Sequence, residues 1–129
     1  MSIHDRGFET ALAATEFSDA PRKALRLGSA LFSGSRLLSI GANQYSRSHP
    51  ASDNGKDFVR STHAEAQCIV RRKHYDGDKN LTLYVARERA DGSRGCSIPC
   101  GNCLELCRLA GIHRVRCWDK NGLPKEILL

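Results

Sequence analysis

Thr62-His63-Ala64-Glu65 opens one predicted helix and Pro99-Cys100-Gly101-Asn102-Cys103 opens another, with the alternating segment Asn80–Arg87 between them. Leu81, Leu83 and Val85 fall on one side of that segment, the two-residue period of a strand packed on one face. Helix, strand, helix in this order is a piece of an α/β fold. Two helix starts that follow neighbouring strands converge at one edge of the sheet. The helix predicted over Thr62–His74 begins with a capping-box pattern, in which Glu65 folds back on Thr62. The second, Cys100–Ala110, stops at Gly111, a residue suited to a left-handed cap.

Outward from this centre the pattern continues. Ser29–Phe32 and Arg36–Ile40 are short apolar runs around Ser33-Gly34-Ser35 and read as a β-hairpin. Before them, helix is predicted over Phe8–Phe17 and again over Arg22–Leu27, with the break at Ser18-Asp19 and Pro21. Asn43–Ser61 is polar and aperiodic, longer than the usual connection, and such loops are often functional. On the other side, Val115, Cys117 and Trp118 belong to a strand that starts near Ile112, and Asn121-Gly122 is a turn signal. The few residues that remain leave no room for a crossover, so a last strand over Glu126–Leu129 must run antiparallel to its neighbour. The expectation is one α/β domain over residues 1–129: a three-layer α/β/α arrangement around a mixed sheet of four to five strands.

Cys100 and Cys103 have the spacing that lets two thiolates grip one ion, and His63 can supply a third ligand. Three protein ligands leave a tetrahedral position open, which separates a catalytic zinc site from a closed structural one. Both helices present positive ends, which favour thiolates and metal-bound hydroxide. Each part also has a plainer reading. Glu65 can serve only as a cap, His63 can be an ordinary packed or surface histidine, and Cys96 and Cys107 can complete a structural four-cysteine site with Cys100 and Cys103. That last alternative leaves the His63–Glu65 pair unexplained. Cys68 and Cys117 lie on apolar faces and read as core residues, as do Tyr84 and Trp118.

His63-x-Glu65 followed by Pro99-Cys100-x2-Cys103 resembles the cytidine deaminase superfamily, whose signature it matches residue for residue. The resemblance covers about Ser29–Trp118. It implies a cytidine-deaminase-like fold, one catalytic zinc ion held by His63, Cys100 and Cys103, and Glu65 as the proton shuttle. Glu65 would take a proton from the activated water, protonate the ring nitrogen and pass a proton to departing ammonia. The resemblance also implies substrate contacts at Asn43, in the segment Ile40-Gly41-Ala42-Asn43, and at Ala64 and Pro99. Gln44-Tyr45 departs from the nucleoside branch, which carries an acidic residue two positions after the asparagine. Ser46-Arg47-Ser48-His49-Pro50 with Lys56 and Arg60 instead resembles small deaminases with a basic loop, phage-type ones included, and makes Arg47, His49, Lys56 and Arg60 candidate phosphate contacts.

Composition sets the remaining bounds. In 129 residues, 40% are hydrophobic and 26% charged, the profile of a globular protein rather than a disordered or membrane one. No apolar run reaches the ~20 residues of a membrane span, and the first ten residues lack the pattern of a signal peptide, so the expected compartment is the cytoplasm and no membrane partner is expected. Six cysteines in that compartment read as ligands or packed thiols rather than disulfides. The net charge of +6 suits phosphate-bearing partners, but it is dispersed, with no basic tail. The leading expectation is a deaminase converting a cytosine nucleoside or nucleotide to the uracil product. The alternatives are a deaminase of bases in single-stranded DNA or RNA, and a non-catalytic zinc or nucleic-acid-binding module. Homo-oligomerisation is implied by the resemblance alone.

Overall fold

A computed structural model describes residues 2–18, 26–44, 63–71 and 80–129. Helix α1 (Ile3–Ala14) is followed by a short 3-10 turn, Thr15–Phe17, and then by strands β1 (Arg26–Ser33) and β2 (Arg36–Ala42). Helix α2 (Ala64–Arg71), strand β3 (Leu81–Glu88), helix α3 (Gly101–Leu109) and strands β4 (Arg114–Trp118) and β5 (Pro124–Leu128) complete the order. The sheet runs β2-β1-β3-β4-β5. It is mixed: β3 and β4 are parallel, and the other neighbouring pairs are antiparallel. The five strands and the antiparallel last one agree with the expectation from sequence.

Alternation along the strands separates two cores. Leu31, Leu83, Val85, Val115 and Cys117 face one way and pack with Cys68 of α2 and Cys107 of α3. Ala30, Phe32, Tyr84, Ala86 and Trp118 face the other and pack with Phe8 and Ala11 of α1. This gives the expected three layers, α1 on one face and α2 with α3 on the other. Phe8 stacks on Trp118 at 5.4 Å between ring centroids and meets the edge of Tyr84, so both aromatics are packing groups.

Two turns carry their sequence signals into structure. Gly34 takes φ +59° between paired Ser33 and Arg36, closing the hairpin. Asp119 Oδ1 accepts from the backbone N–H groups of Asn121 and Leu123, with Gly122 at φ +75°, and this returns the chain antiparallel along β4. Gly111, at φ +83°, follows α3 as its left-handed cap.

The N-terminal helix and the segment after it differ from expectation. Helix α1 begins at Ile3, because Ser2 Oγ caps it by accepting from Asp5 N at 3.1 Å. Helix was expected over Arg22–Leu27; residues 22–25 lie outside the described residues, and Arg26 and Leu27 are in β1, opposite Glu88 and Arg87 of β3. Pairing with a strand far along the chain overrides the local helix preference of Arg and Leu. Of the helix expected over Thr62–His74, Ala64–Arg71 is described as helical, and Thr62 and residues 72–74 lie outside the described residues.

Both helical layers approach the sheet where a strand has no side chain. A Cβ on Gly28 would overlap the Ala11 carbonyl of α1. A Cβ on Gly41 would stand 2.5 Å from the Ala64 carbonyl and 2.7 Å from the Cys68 nitrogen of α2. Gly41→Ala is therefore expected to lower unfolding free energy by about 1–3 kcal/mol in urea titrations, as overpacking does; an unchanged midpoint would show that α2 is free to move outward.

Burial pushes the thiols of Cys68 and Cys117 up from 9.0 to about 11, and that of Cys107 to about 12. Above pH 9 the unfolded chain gives up protons that the folded chain keeps. Their contribution is full below that value and is lost as pH rises toward 11–12. Stability should fall steadily between pH 9 and 11, which urea midpoints across that range will check.

Candidate metal centre

Helix α3 starts from Cys100, whose extended backbone (φ −68°, ψ 163°) makes it the N-cap and whose Sγ accepts from Cys103 N at 3.4 Å. One helical turn thus places both sulfurs at the positive end of α3. His63 immediately precedes α2 and accepts from Gln67 N through its carbonyl at 3.0 Å. Its Nδ1 lies 3.0 Å from Cys103 Sγ and 3.8 Å from Cys100 Sγ. The three donor atoms lie within 4.8 Å of one another. With Zn–S near ~2.3 Å and Zn–N near ~2.0 Å, a tetrahedral ion requires N···S separations of roughly 3.5 Å, which the two observed distances bracket.

The surroundings favour a cation as well. Glu65 is 3% exposed and Cys103 1% exposed. Burial first, and then the Glu65 carboxylate and the neighbouring Cys100, raise the Cys103 thiol far above its ordinary value. A thiol and a carboxyl group are packed together out of water, an arrangement that a divalent ion compensates. The donors, their spacing and this charge balance fit one zinc ion.

Helix α2 is fixed to the sheet by polar side chains that the sequence reading did not single out. Ser29 Oγ donates to the Ala64 carbonyl at 2.7 Å, Gln67 Oε1 accepts from Ala42 N at 2.8 Å, and Ser39 Oγ donates to the Cys68 carbonyl at 2.7 Å. The available signal was a serine inside an apolar strand, Ser29 between Gly28 and Ala30. These bonds secure the turn that carries Glu65.

His63, Glu65, Pro99 and Cys100 line one cavity of about 160 Å³, together with Leu27 and the Cys96–Ile98 segment. Larger hollows of about 290 and 620 Å³ run along α1, and both include Glu9 and Leu12. They lie away from the donor cluster, and the smaller cavity is the one with chemistry in its walls. Asn43, 4% exposed, is not in that lining; its Oδ1 accepts from Ser18 Oγ at 2.7 Å and from Leu27 N at 2.9 Å. Ala64 is fully buried between His63 and Glu65. Arg47, His49, Lys56 and Arg60 lie outside the described residues.

The four-cysteine alternative does not form. Cys107 is fully buried in the core, and among the described residues the metal-ligand cluster is His63, Cys100 and Cys103. All six cysteines are free, as expected.

An α/β/α sheet with a three-ligand centre beside a buried carboxylate defines the class of zinc proteins with an open coordination position. Over residues 1–118 the chain matches the family described as the cytidine and deoxycytidylate deaminase zinc-binding region, and it belongs to that family. It is thus a deaminase of the zinc-dependent kind, and the family likeness seen in its motif is established. Solved structures that it resembles include cytidine deaminase from Burkholderia pseudomallei, at TM-score 0.70 and 20% identity over 99% of this chain and 93% of that one. Cytidine deaminase from Mycobacterium leprae aligns at TM-score 0.62 and 22% identity, over 98% of this chain and 94% of that one. The dCMP deaminase of cyanophage S-TIM5 aligns at 0.61 and 19%, over 89% and 82%. No curated protein matches the chain. No helix among the described residues is long and apolar enough to cross a membrane.

Replacing Cys100 or Cys103 with serine should abolish stoichiometric zinc in the purified protein, whereas Cys107→Ser should retain it. Metal analysis by plasma emission checks both, and loss of zinc from the Cys107 variant as well would restore the four-cysteine arrangement.

Proposed function

We propose that this chain hydrolytically deaminates a small cytosine nucleoside or nucleotide, giving the uracil product and ammonia, with Glu65 as the catalytic residue. The observation that carries the reading is the buried Glu65 carboxylate in the wall of the same cavity as His63 and Cys100. Zinc, when held by His63, Cys100 and Cys103, supplies Lewis acidity that makes water a nucleophile at neutral pH.

The chain's own residues account for the rest. Glu65 accepts a proton from the attacking water and delivers it to the ring nitrogen, so that oxygen bonds to the carbon carrying the exocyclic amine. Glu65 then carries the proton of the newly bonded hydroxyl to the exocyclic amine, so that the carbon–nitrogen bond breaks, the carbonyl forms and ammonia leaves. Its burial keeps bulk water away from the carboxylate and preserves the proton for transfer. Pro99 forms an apolar wall for the ring, and Ala64, buried between His63 and Glu65, is a further proposed substrate contact. Asn43, whose Oδ1 accepts from Ser18 Oγ and Leu27 N, is a further proposed substrate contact. Arg47, His49, Lys56 and Arg60 are the proposed phosphate contacts if the substrate is a nucleotide.

The cavity, about 160 Å³, is smaller than the roughly 300–1,000 Å³ of pockets that enclose a whole drug-sized ligand. Its size suits a single ring held as the reacting part of the substrate. Self-association belongs to the same reading: β5 is an edge strand, and Leu123 just before it and Leu128 within it are exposed.

Glu65→Ala should retain zinc and lose turnover by about 10²–10⁴-fold; full activity in that variant would remove Glu65 from the mechanism. Cytidine, deoxycytidine, their monophosphates, free cytosine, adenosine and a single-stranded oligonucleotide should be assayed side by side. Turnover of a cytosine nucleoside or monophosphate is expected, and reaction of the oligonucleotide alone would assign the chain to polynucleotide deamination.

A further inference from the structure

The parallel strands β3 and β4 pair only over Thr82–Tyr84 and Arg114–Arg116. Beyond this stretch their C-terminal ends are joined by a residue from neither strand. Ser97 N donates to the Trp118 carbonyl at 3.0 Å, while Ser97 Oγ accepts from Trp118 N at 2.8 Å. The same hydroxyl donates to the Val85 carbonyl at 2.7 Å. Ser97 is 2% exposed, so water has little access to replace these bonds. One hydroxyl therefore ties β3 to β4 where the ladder has ended.

Ser97 stands three residues before Cys100 and lines the cavity shared by His63, Glu65 and Cys100. Its backbone and side chain are both committed to the sheet. The short connection through Ile98 and Pro99 then sets where α3 begins, with proline restricting its freedom. Both sulfur donors belong to the first turn of α3, so a shift at Ser97 moves Cys100 and Cys103 together relative to His63, which is held on a different helix.

We propose that Ser97 is a positioning residue for the zinc centre, acting through the Ser97–Cys100 connection to hold the two thiolates in register with His63 and Glu65. The inference rests on the zinc-deaminase reading, but its first readout is metal affinity and does not require turnover. The hydroxyl is chemically necessary because the position demands a donor and an acceptor at once. Alanine supplies neither, and threonine supplies both.

The experiment uses the full chain loaded with zinc and measures zinc affinity by competition with a chromogenic chelator, thermal midpoint, and kcat and KM on the best wild-type substrate. Ser97→Ala is expected to weaken zinc binding by about 10-fold or more, as loss of groups that orient ligands does. It is also expected to lower kcat more than it raises KM. Thr15→Val is the stability control: it removes a buried hydroxyl that donates to Leu12 at 2.7 Å, on the α1 side of the sheet. It should lower the thermal midpoint while leaving zinc affinity within about twofold.

Should Ser97→Ala not fold, Ser97→Thr and Ser97→Val decide, since the two have nearly the same shape and differ in the hydroxyl. Threonine is expected to retain zinc and valine to lose it. Equal affinities in that pair, wild-type affinity in Ser97→Ala, or loss of zinc in Thr15→Val in proportion to its thermal midpoint would each overturn the proposal. Weakened zinc binding in Ser97→Ala together with a wild-type chain inert on every cytosine substrate would leave the positioning role standing and remove the proposed substrate class.

Discussion

The fold brings the thiols of Cys100 and Cys103 and the carboxyl group of Glu65 to one corner, with Cys103 and Glu65 almost completely out of water. Burying such groups together is unfavourable unless a cation compensates them. A zinc ion resolves that conflict, and metal binding therefore contributes to the stability of the corner as well as to its chemistry. The same burial that raises the Cys103 thiol without a counter-charge makes the thiolate a strong ligand once the ion is present. The centre depends on two helices being held still against this electrostatic strain.

The sheet restrains those helices by different means. Helix α2 comes so close to β2 that Gly41 must lack a side chain, and Ser29, Ser39 and Gln67 connect it to the first two strands. Helix α3 is the crossover between the parallel strands β3 and β4, and its start is set by the chain leaving β3. His63 and Glu65 thus answer to the hairpin, and the two cysteines answer to the β3–β4 pair. Strand β1, paired with both β2 and β3, is the part common to the two. Its core position explains why Gly28, Ser29, Ala30, Leu31 and Phe32 are all buried.

Much of this is legible in the amino-acid sequence. The hairpin showed in its Ser33-Gly34-Ser35 turn, the last strand's direction in the lack of a crossover, and the ligand set in two short motifs at helix starts. Those features are local, written in spacing and turn chemistry. What escaped is long-range. Arg26 and Leu27 look helical until Glu88 and Arg87 are placed beside them, and nothing near Ser97 announces partners at Val85 and Trp118. A buried serine's value comes from the groups it meets, and periodicity carries no record of them. The cavity's inclusion of Leu27, far from both motifs along the chain, was hidden for the same reason.

The division between local and long-range information also separates chemistry from selectivity. The reacting centre needs a few groups at fixed distances, and the two motifs with their helix starts supply them. Selection among cytosine substrates must distinguish sugar from sugar phosphate, parts that a cavity of about 160 Å³ does not enclose. Asn43, the first residue after β2, is fastened to Ser18 and Leu27 through its carbonyl oxygen. Its orientation is therefore set by the sheet and by the end of the N-terminal helical segment, not by a substrate. On the proposed reading, Asn43 is a fixed post at the edge of the site, and discrimination falls to the residues that follow it. The charges of Arg47, His49, Lys56 and Arg60 are suited to that task because phosphate, unlike the ring, offers a full negative charge to recognise. A family can then keep one deamination centre and change its substrate by altering residues other than the metal ligands and the proton carrier.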